Sequence, residues 1–300
     1  MRKILPTLIL GALLLPSMSY AGFFSHPIEK IAMAEGGILL FDAAVPRIVA
    51  SVVEGRNAES AVGLIRKLSM TPNGREGVVN ILSYYIITSE SSTWANNAKI
   101  LMNGAGVYDS KLDGKMHIEA DNYLAHKKTL ESIAASFDAK KDPSVKCYGK
   151  DNIYEPRLDF QPKNVHSPVM EFDFGSFNDL HNEEAYNDHL EHDHIPSVAA
   201  VMRFLEARDG RAKMNRKAGQ GKIVADNASA FEVTDKHHAT GRTYKWLNDA
   251  SQQQMDASNL KVATIKDFAY YYSDVKTLDP RVIKAFLSIW ARNTILCLYK

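Results

Sequence analysis

The sequence predicts a mainly α-helical protein with a small α+β part. From Ile28 to about Phe137, apolar residues recur at three- and four-residue spacing, which is typical of amphipathic helices. Between Asp142 and Phe177 there are four prolines, and the aromatic residues follow no helical spacing, which favours an extended chain. Short alternating segments and further helical patterns follow. We therefore predict a helical N-terminal domain and an α+β C-terminal domain, with the boundary near residue 142.

Residues 1–21 have the pattern of a cleaved signal peptide. Arg2 and Lys3 precede an apolar stretch from Ile4 to Leu15, and residues 19–21 place small side chains where a signal peptidase reads them. The apolar stretch is shorter than the roughly 20 residues of a membrane span. We expect cleavage after Ala21, export to the periplasm or beyond, and no stable membrane insertion.

The charge and the cysteines limit the function classes. A formal net charge of +1 gives no global basic field, so a nucleic-acid partner would have to be held by a local patch or by metal. Cys147 and Cys297 are the only cysteines. In an oxidising compartment they can pair, or they can be two separate buried thiols, and the sequence leaves both readings open.

Residues 22–141 form the predicted helical domain. Asn57 can cap a helix that runs to Leu68, residues 71–74 read as a turn, and Arg75–Thr88 reads as the next helix. Residues 103–106 end a further helix, and Asp121–Phe137 repeats the helical signal. Reactive side chains are not concentrated here, so these helices are candidates for binding a protein partner.

Residues 142–180 form a predicted extended linker, and residues 181–300 form the second domain with its C-terminal helices. Val169–Phe177 alternates apolar and polar residues and is the best strand candidate of the linker. Ser197 can cap a helix that ends near Gly210. Lys222–Val233 reads as partly extended, and helices are predicted over Lys236–Asn248, Asn259–Lys276 and Arg281–Leu298, the last opened by Asp279-Pro280.

Histidines and acids are concentrated at the start of the second domain. Six of the ten histidines lie between residues 181 and 238: His181, His189, His192, His194, His237 and His238. Imidazole and carboxylate are ligands that zinc, nickel, manganese and magnesium can share. A solvated charged loop has the same composition, so a divalent metal site and a solvated surface both stay open.

The order of residues 190–197 adds detail. Leu190–Ile195 alternates as a short strand does, which places His192 and His194 on one side and Asp193 on the other. Pro196 ends the strand, and Ser197 starts a helix whose N-terminus favours anions. His181, His189 and His192 can form a second metal shell or can be surface histidines.

Two motifs resemble those of a known nuclease family. Asp193-His194-Ile195-Pro196 resembles the Asp-His-Ile-x-Pro signature of HNH nucleases, the His-Me finger group, although Pro196 comes one residue early. "DHIPS", followed about forty residues later by "HHATGRTY" (His237–Tyr244), is similar to HNH-like toxin nuclease domains of bacterial polymorphic toxins. The resemblance covers roughly residues 185–250 and implies a metal-dependent nuclease that hydrolyses DNA or RNA.

The resemblance also implies roles for single residues. Asp193 would bind the divalent metal with His237 or His238, of which we expect at most one to be a ligand. His194 would be the general base, with an ordinary pKa near 6.5 that suits work near neutral pH. Arg242 would bind phosphate bidentately.

Each of these residues also has a structural interpretation. Asp193 and His194 can be a hydrogen-bonded pair that fixes the turn, and Arg242 can pair with an acid such as Asp235. Tyr244, which could help to position substrate, is more often a core residue.

The sequence lacks the motifs of several other enzyme classes. The sequence has no Gly-x-Ser-x-Gly turn, phosphate-binding glycine loop, His-Glu-x-x-His or Cys-x-x-Cys. The leading hypothesis is an exported metal-dependent nuclease, an effector or toxin. The alternative is an exported interaction protein of helical character with a structural or degenerate histidine metal site.

Overall fold

A computed structural model describes residues 37–88, 91–140, 147, 153–154, 162–185, 188–244 and 247–299. The predicted signal peptide lies outside these residues, and so does the predicted domain boundary near residue 142. None of the helices in the described ranges has the length and apolarity needed to cross a membrane.

The described part of the chain is mostly helical with a small antiparallel sheet, which confirms the predicted fold class. The N-terminal region forms five consecutive helices: α1 (Gly37–Glu54), α2 (Ala58–Leu68), α3 (Pro72–Thr88), α4 (Ser92–Ala105) and α5 (Ser110–Ala139).

Local hydrogen bonds explain where these helices begin. Ser91 caps α4 by accepting from the Trp94 amide, and Asp109 caps α5 by accepting from Leu112, so α5 begins well before Asp121. Asn57 stands at the N-cap of α2 in the left-handed region, but its side chain makes no capping hydrogen bond.

The predicted turn over residues 71–74 is wrong. The Gly74 amide donates to Thr71 Oγ1 over 3.1 Å, and Pro72 occupies the first helical position, where its missing amide hydrogen costs nothing. These residues therefore open α3.

Three strands form one antiparallel sheet in the order β1-β3-β2. They are β1 (Phe174–Ser176), β2 (Leu190–His194) and β3 (Ser229–Thr234). The register pairs His192 with Glu232 and Asp193 with Phe231. Paired residues of antiparallel strands point to the same face, so His192 and Glu232 share one face while Asp193 points to the other.

The strand predicted over Val169–Phe177 is shorter in the structure. Ser176 and Asp179 form a capping box, which ends β1 and starts helix α6 (Phe177–His181). Likewise Lys222–Val233 is helical up to Asn227 before β3 begins.

The other described helices follow the second half of the prediction in outline. They are α7 (Val198–Asp209), α8 (Gly219–Asn227), α9 (Asp235–Thr240), α10 (Ala250–Ser258), α11 (Leu260–Tyr271) and α12 (Pro280–Ile295). The helix predicted over Lys236–Asn248 is wrong beyond Thr240, where α9 ends at Gly241. A Cβ on Gly241 would lie 2.7 Å from the Tyr271 hydroxyl, so only glycine fits there.

One hydrophobic core joins the N-terminal helices to the second half of the chain. Tyr84 on α3 packs edge-on against Tyr270 on α11, with ring centroids 5.3 Å apart. At the end of α5, Asp138 accepts a hydrogen bond from the Trp290 indole on α12 over 2.9 Å. Helix α5 therefore lies against α11 and α12.

The two cysteines form a disulfide. Cys147 and Cys297 are bonded with their Cα atoms 4.9 Å apart. Of the two readings that the sequence left open, the structure shows the paired one.

Candidate functional site

Strand β2 presents ionisable side chains on both of its faces. We call the side that carries His192, His194 and Glu232 the His192 face, and the side that carries Glu191 and Asp193 the Asp193 face. Helix α6 packs on the sheet at the His192 face, where Phe177 contacts both histidine rings. Helices α9 and α11 bring His238 and Tyr271 to the Asp193 face.

On the Asp193 face, a carboxylate and an imidazole are paired. His238 Nε2 lies 3.5 Å from Asp193 Oδ1, and the Tyr271 hydroxyl donates to Asp193 Oδ2. Glu191 Oε2 lies 3.9 Å from the other His238 nitrogen. Burial works against the charged forms, but the mutual attraction outweighs it, so the pKa of Asp193 is lowered and that of His238 is raised.

His237 lies away from this pair. Its Nε2 is 3.5 Å from Asp274 Oδ1, and its ring packs against Tyr272 with centroids 5.1 Å apart. The structure therefore brings His238, and not His237, to Asp193.

Arg242 lies in the core. Its Nη1 and Nη2 donate to the two carboxylate oxygens of Asp256 over 3.0 and 2.9 Å, and its Nε is 2.7 Å from Asp267 Oδ1. Only 2% of the residue is exposed. The bidentate geometry expected for phosphate is thus made with a buried aspartate, and a second carboxylate pairs with the remaining guanidinium nitrogen.

His194 lies at the base of the His192 face. Its ring stacks on Phe177 with centroids 4.5 Å apart, and its Nε2 is 2.9 Å from the Ala225 carbonyl oxygen. A carbonyl only accepts, so Nε2 carries the hydrogen and Nδ1 keeps its lone pair. Burial lowers the pKa of His194 to about 4, so the imidazole is neutral at physiological pH.

The predicted catalytic constellation is therefore divided. His192 and His194 share one side and Asp193 points to the other, as the strand alternation predicted. The consequence is that the His194 imidazole and the Asp193–His238 pair lie on opposite faces, while Arg242 belongs to neither.

A second cluster lies on the His192 face, and it contains two of the three histidines that the sequence analysis grouped as a second metal shell, together with Glu184. One ligand atom each of His181, Glu184 and His192 lie within 4.8 Å of one another. His181 Nδ1 is already 3.1 Å from Glu184 Oε2. His189, which we had grouped with these histidines, instead points to Asp235 at 3.3 Å.

Glu232 lies beneath that cluster. It is 0% exposed, and neither carboxylate oxygen accepts a hydrogen bond from the described residues. Burial, reinforced by the charge of Asp188, raises the pKa of Glu232 to about 8. The strand alternation could have placed Glu232 on a face, but the sequence does not show that this face meets His192.

A positive charge also lies near His194. Arg216, exposed in the segment between α7 and α8, acts on His194 through its charge. It belongs to the run Arg211-Ala-Lys-Met-Asn-Arg-Lys217, a local basic segment that the sequence analysis did not single out.

No protein-family model matches this chain, and no solved structure matches it. Among curated proteins, the chain is 38% identical over 99 residues to a protein named Deoxyribonuclease CdiA from Dickeya dadantii (strain 3937). The matched residues are 33% of this chain and 3% of the CdiA chain. The chain thus corresponds to a small part of that relative.

Proposed function

We propose that this protein is a nuclease that hydrolyses phosphodiester bonds in DNA and acts as a toxin or secreted effector. The observation that carries this proposal is the 38% identity over 99 residues to a deoxyribonuclease. The same relative favours DNA over RNA as the substrate. The HNH-like motifs around Asp193 and His237 support the same reaction class.

His194 is the proposed general base. The Ala225 carbonyl holds Nε2–H, which fixes the tautomer and leaves Nδ1 able to take a proton from the attacking water. Because burial lowers the pKa of His194 to about 4, the proton-accepting form is present at neutral pH. Phe177 fixes the ring plane by stacking on it.

Arg216 is the proposed phosphate-binding residue in place of Arg242. It is exposed, it lies in a basic segment, and its positive charge helps to lower the pKa of His194. An exposed guanidinium can pair with a phosphate in two parallel hydrogen bonds, whereas Arg242 is occupied by Asp256 and Asp267.

The metal ligands implied by the motif resemblance, Asp193 with His237 or His238, do not form a complete metal site in the structure. Catalytic metal sites of this donor chemistry use about three protein ligands. Asp193 and His238 are close to each other, but His237 points to Asp274 and Asp193 already accepts from Tyr271. We therefore assign no reaction step to a metal at Asp193, and treat the Asp193–His238 pair as the contact that joins β2 to α9.

Export is part of the proposal. The signal-peptide pattern of residues 1–21 supports it, and so does the Cys147–Cys297 disulfide, since such bonds persist in oxidising compartments.

The test is the cleavage of plasmid DNA and, separately, of total RNA by the purified protein, with magnesium, manganese, zinc or nickel added in turn. We expect DNA to be cut, and His194→Ala and Arg216→Ala each to slow cutting. His117→Ala, at an exposed histidine of α5, is the matched control and should cut at the normal rate.

Arg216→Ala keeps the test interpretable, because an exposed side chain can be removed without unfolding the protein. If folded protein cuts neither DNA nor RNA under any metal, the proposal fails and the interaction protein becomes the better reading. Cutting of RNA alone would overturn the DNA assignment.

A further inference from the structure

The cluster on the His192 face has the donor set of a metal centre. His181 lies at the end of α6, Glu184 follows it by three residues beyond the helix, and His192 comes from strand β2. Two imidazoles and one carboxylate are a combination found in catalytic zinc sites. The described residues hold no other histidine, cysteine and carboxylate group with this spacing.

The distances are compatible with closure around an ion. Ligand atoms bound at about 2.1 Å to one metal lie roughly 3 to 4 Å apart. The three present atoms lie within 4.8 Å of one another, and His181 and Glu184 are exposed. His192, only 10% exposed, is the fixed member.

A buried carboxylate points at that fixed member. Glu232 Oε1 lies 4.0 Å from His192 Nδ1, and neither the Nδ1 atom nor the two carboxylate oxygens have a hydrogen-bond partner among the described residues. Leaving such groups unpaired in the interior costs free energy, so the arrangement needs a compensating ligand. In metal sites a ligating imidazole often donates its second N–H to a buried carboxylate of this kind.

The negative charges around Glu232 also favour a bound cation. Four further carboxylates act on it, those of Asp188, Glu184, Asp173 and Glu191. Negative charges that act on a buried carboxyl in this way disfavour a further negative charge there and favour a cation.

We propose that His181, Glu184 and His192 bind one divalent transition-metal ion, with Glu232 positioning His192 through its Nδ1–H. Nε2 of His192 is then the nitrogen that faces the ion. Because two of three ligands are imidazoles, zinc and nickel should bind more tightly than magnesium. The site lies on the same face as His194, but the inference does not depend on the proposed nuclease activity.

The experiment is isothermal titration calorimetry of the chelator-treated full chain with zinc, nickel, manganese and magnesium chlorides. We expect one zinc or nickel ion per chain. His181→Ala and Glu184→Gln should each weaken binding by at least about 10-fold, and Glu232→Gln should weaken it by about 10- to 100-fold without touching the ion.

His189→Ala is the matched control, since His189 is an exposed neighbour in sequence that points to Asp235. His238→Ala tests the opposite face. His181 and Glu184 are exposed, so their variants should fold, and circular dichroism checks this. Unchanged zinc affinity in His181→Ala and Glu184→Gln, or loss of binding in His238→Ala alone, would overturn the assignment, as would the absence of binding by any metal.

The result is separate from the plasmid assay. Metal binding without DNA cleavage leaves this site standing and removes the proposed function. DNA cleavage by a chain that binds no metal in the titration leaves the proposed function standing and removes this site.

Discussion

The two faces of strand β2 carry similar side chains in opposite electrostatic situations. On the Asp193 face, carboxylates have partners: Asp193 has His238 and Tyr271, and behind them Arg242 is held by Asp256 and Asp267. On the His192 face, neither oxygen of the buried Glu232 accepts a hydrogen bond from the described residues, and His192 Nδ1 lies 4.0 Å from Oε1. His238 Nδ1 on the Asp193 face also lacks a hydrogen-bond partner among those residues, but its Nε2 lies 3.5 Å from Asp193.

We infer from this difference that the polar groups of the Asp193 face stabilise the fold, whereas those of the His192 face can bind a ligand or take part in a reaction. A buried ion pair is costly to break, but it has no remaining capacity for a ligand. A buried group without a partner costs free energy in the protein alone, and such groups concentrate at functional sites.

The largest expected effect is on activity. His194→Ala should lower the rate of DNA cleavage by about 10²- to 10⁴-fold, because it removes the proposed general base. Asp193→Asn, one position away on the other face, should lower the rate far less. Plasmid nicking rates measure both, and equal losses in the two variants would contradict the division between the faces.

The next effect is on stability. Arg242→Ala should lower the free energy of unfolding by about 3–5 kcal/mol, because it leaves Asp256 and Asp267 buried without their cation. Arg216→Ala, at an exposed arginine, should change it by less than about 0.5 kcal/mol. Urea denaturation measures both values, and a small loss for Arg242→Ala would show that this pair is not the core contact described above.

Glu232 should make stability depend on pH. Its pKa of about 8 in the folded protein is above the ordinary value of 4.5, so the folded state holds the proton more tightly than the unfolded state. That contribution is complete at low pH and is lost as the pH rises through about 8. In chelator-treated protein, Glu232→Gln should therefore be more stable than the original chain by about 1–3 kcal/mol at pH 7.5.

Urea unfolding at pH 5 and pH 7.5 checks this prediction. The advantage of Glu232→Gln should shrink towards pH 5. Asp193→Asn is the comparison from the other face: Asp193 raises the pKa of His238 above its ordinary value of 6.5, so this variant should destabilise the protein more at pH 5, where His238 is charged in both states, than at pH 7.5. An advantage of Glu232→Gln that does not change with pH would refute the pKa assignment.

The smallest effect concerns Tyr271. Tyr271→Phe removes the hydroxyl that donates to Asp193 and should cost about 1.5 kcal/mol, the usual contribution of a hydrogen bond to a charged group. A double-mutant cycle with Asp193→Ala isolates this contact, because the cost of removing the hydroxyl should vanish when its acceptor is absent. Additive costs would show that the two side chains do not interact.

The sequence predicted elements better than it predicted the site. Caps such as Ser197 and Asp279 act through neighbouring amides, so they can be found from a few residues, and both are confirmed. The alternation of β2 correctly put Asp193 opposite His192 and His194. The local sequence pattern could not predict which side chains contact each face of β2, because Tyr271 and Glu232 come from elements far along the chain.

Arg242 illustrates the same limit. Its place in the "HHATGRTY" motif suggested a phosphate ligand, but Asp256 and Asp267 occupy it. They lie on α10 and α11, and only the folding of those helices onto the end of α9 shows that the arginine is enclosed. A motif gives residue types and spacing, whereas accessibility depends on tertiary packing.

The contacts of α5 determine whether the second half of the chain could be transferred to another protein without the N-terminal helices. Asp138 near the end of this helix binds Trp290 on α12, and His126 lies 3.1 Å from the Tyr272 carbonyl at the end of α11. A fusion that carried only the residues after 142 would uncover the apolar side chains of α11 and α12 that share a core with α5, and it would become prone to aggregation. A fusion protein that includes this sheet would therefore also have to include α5 or a helix of matching shape.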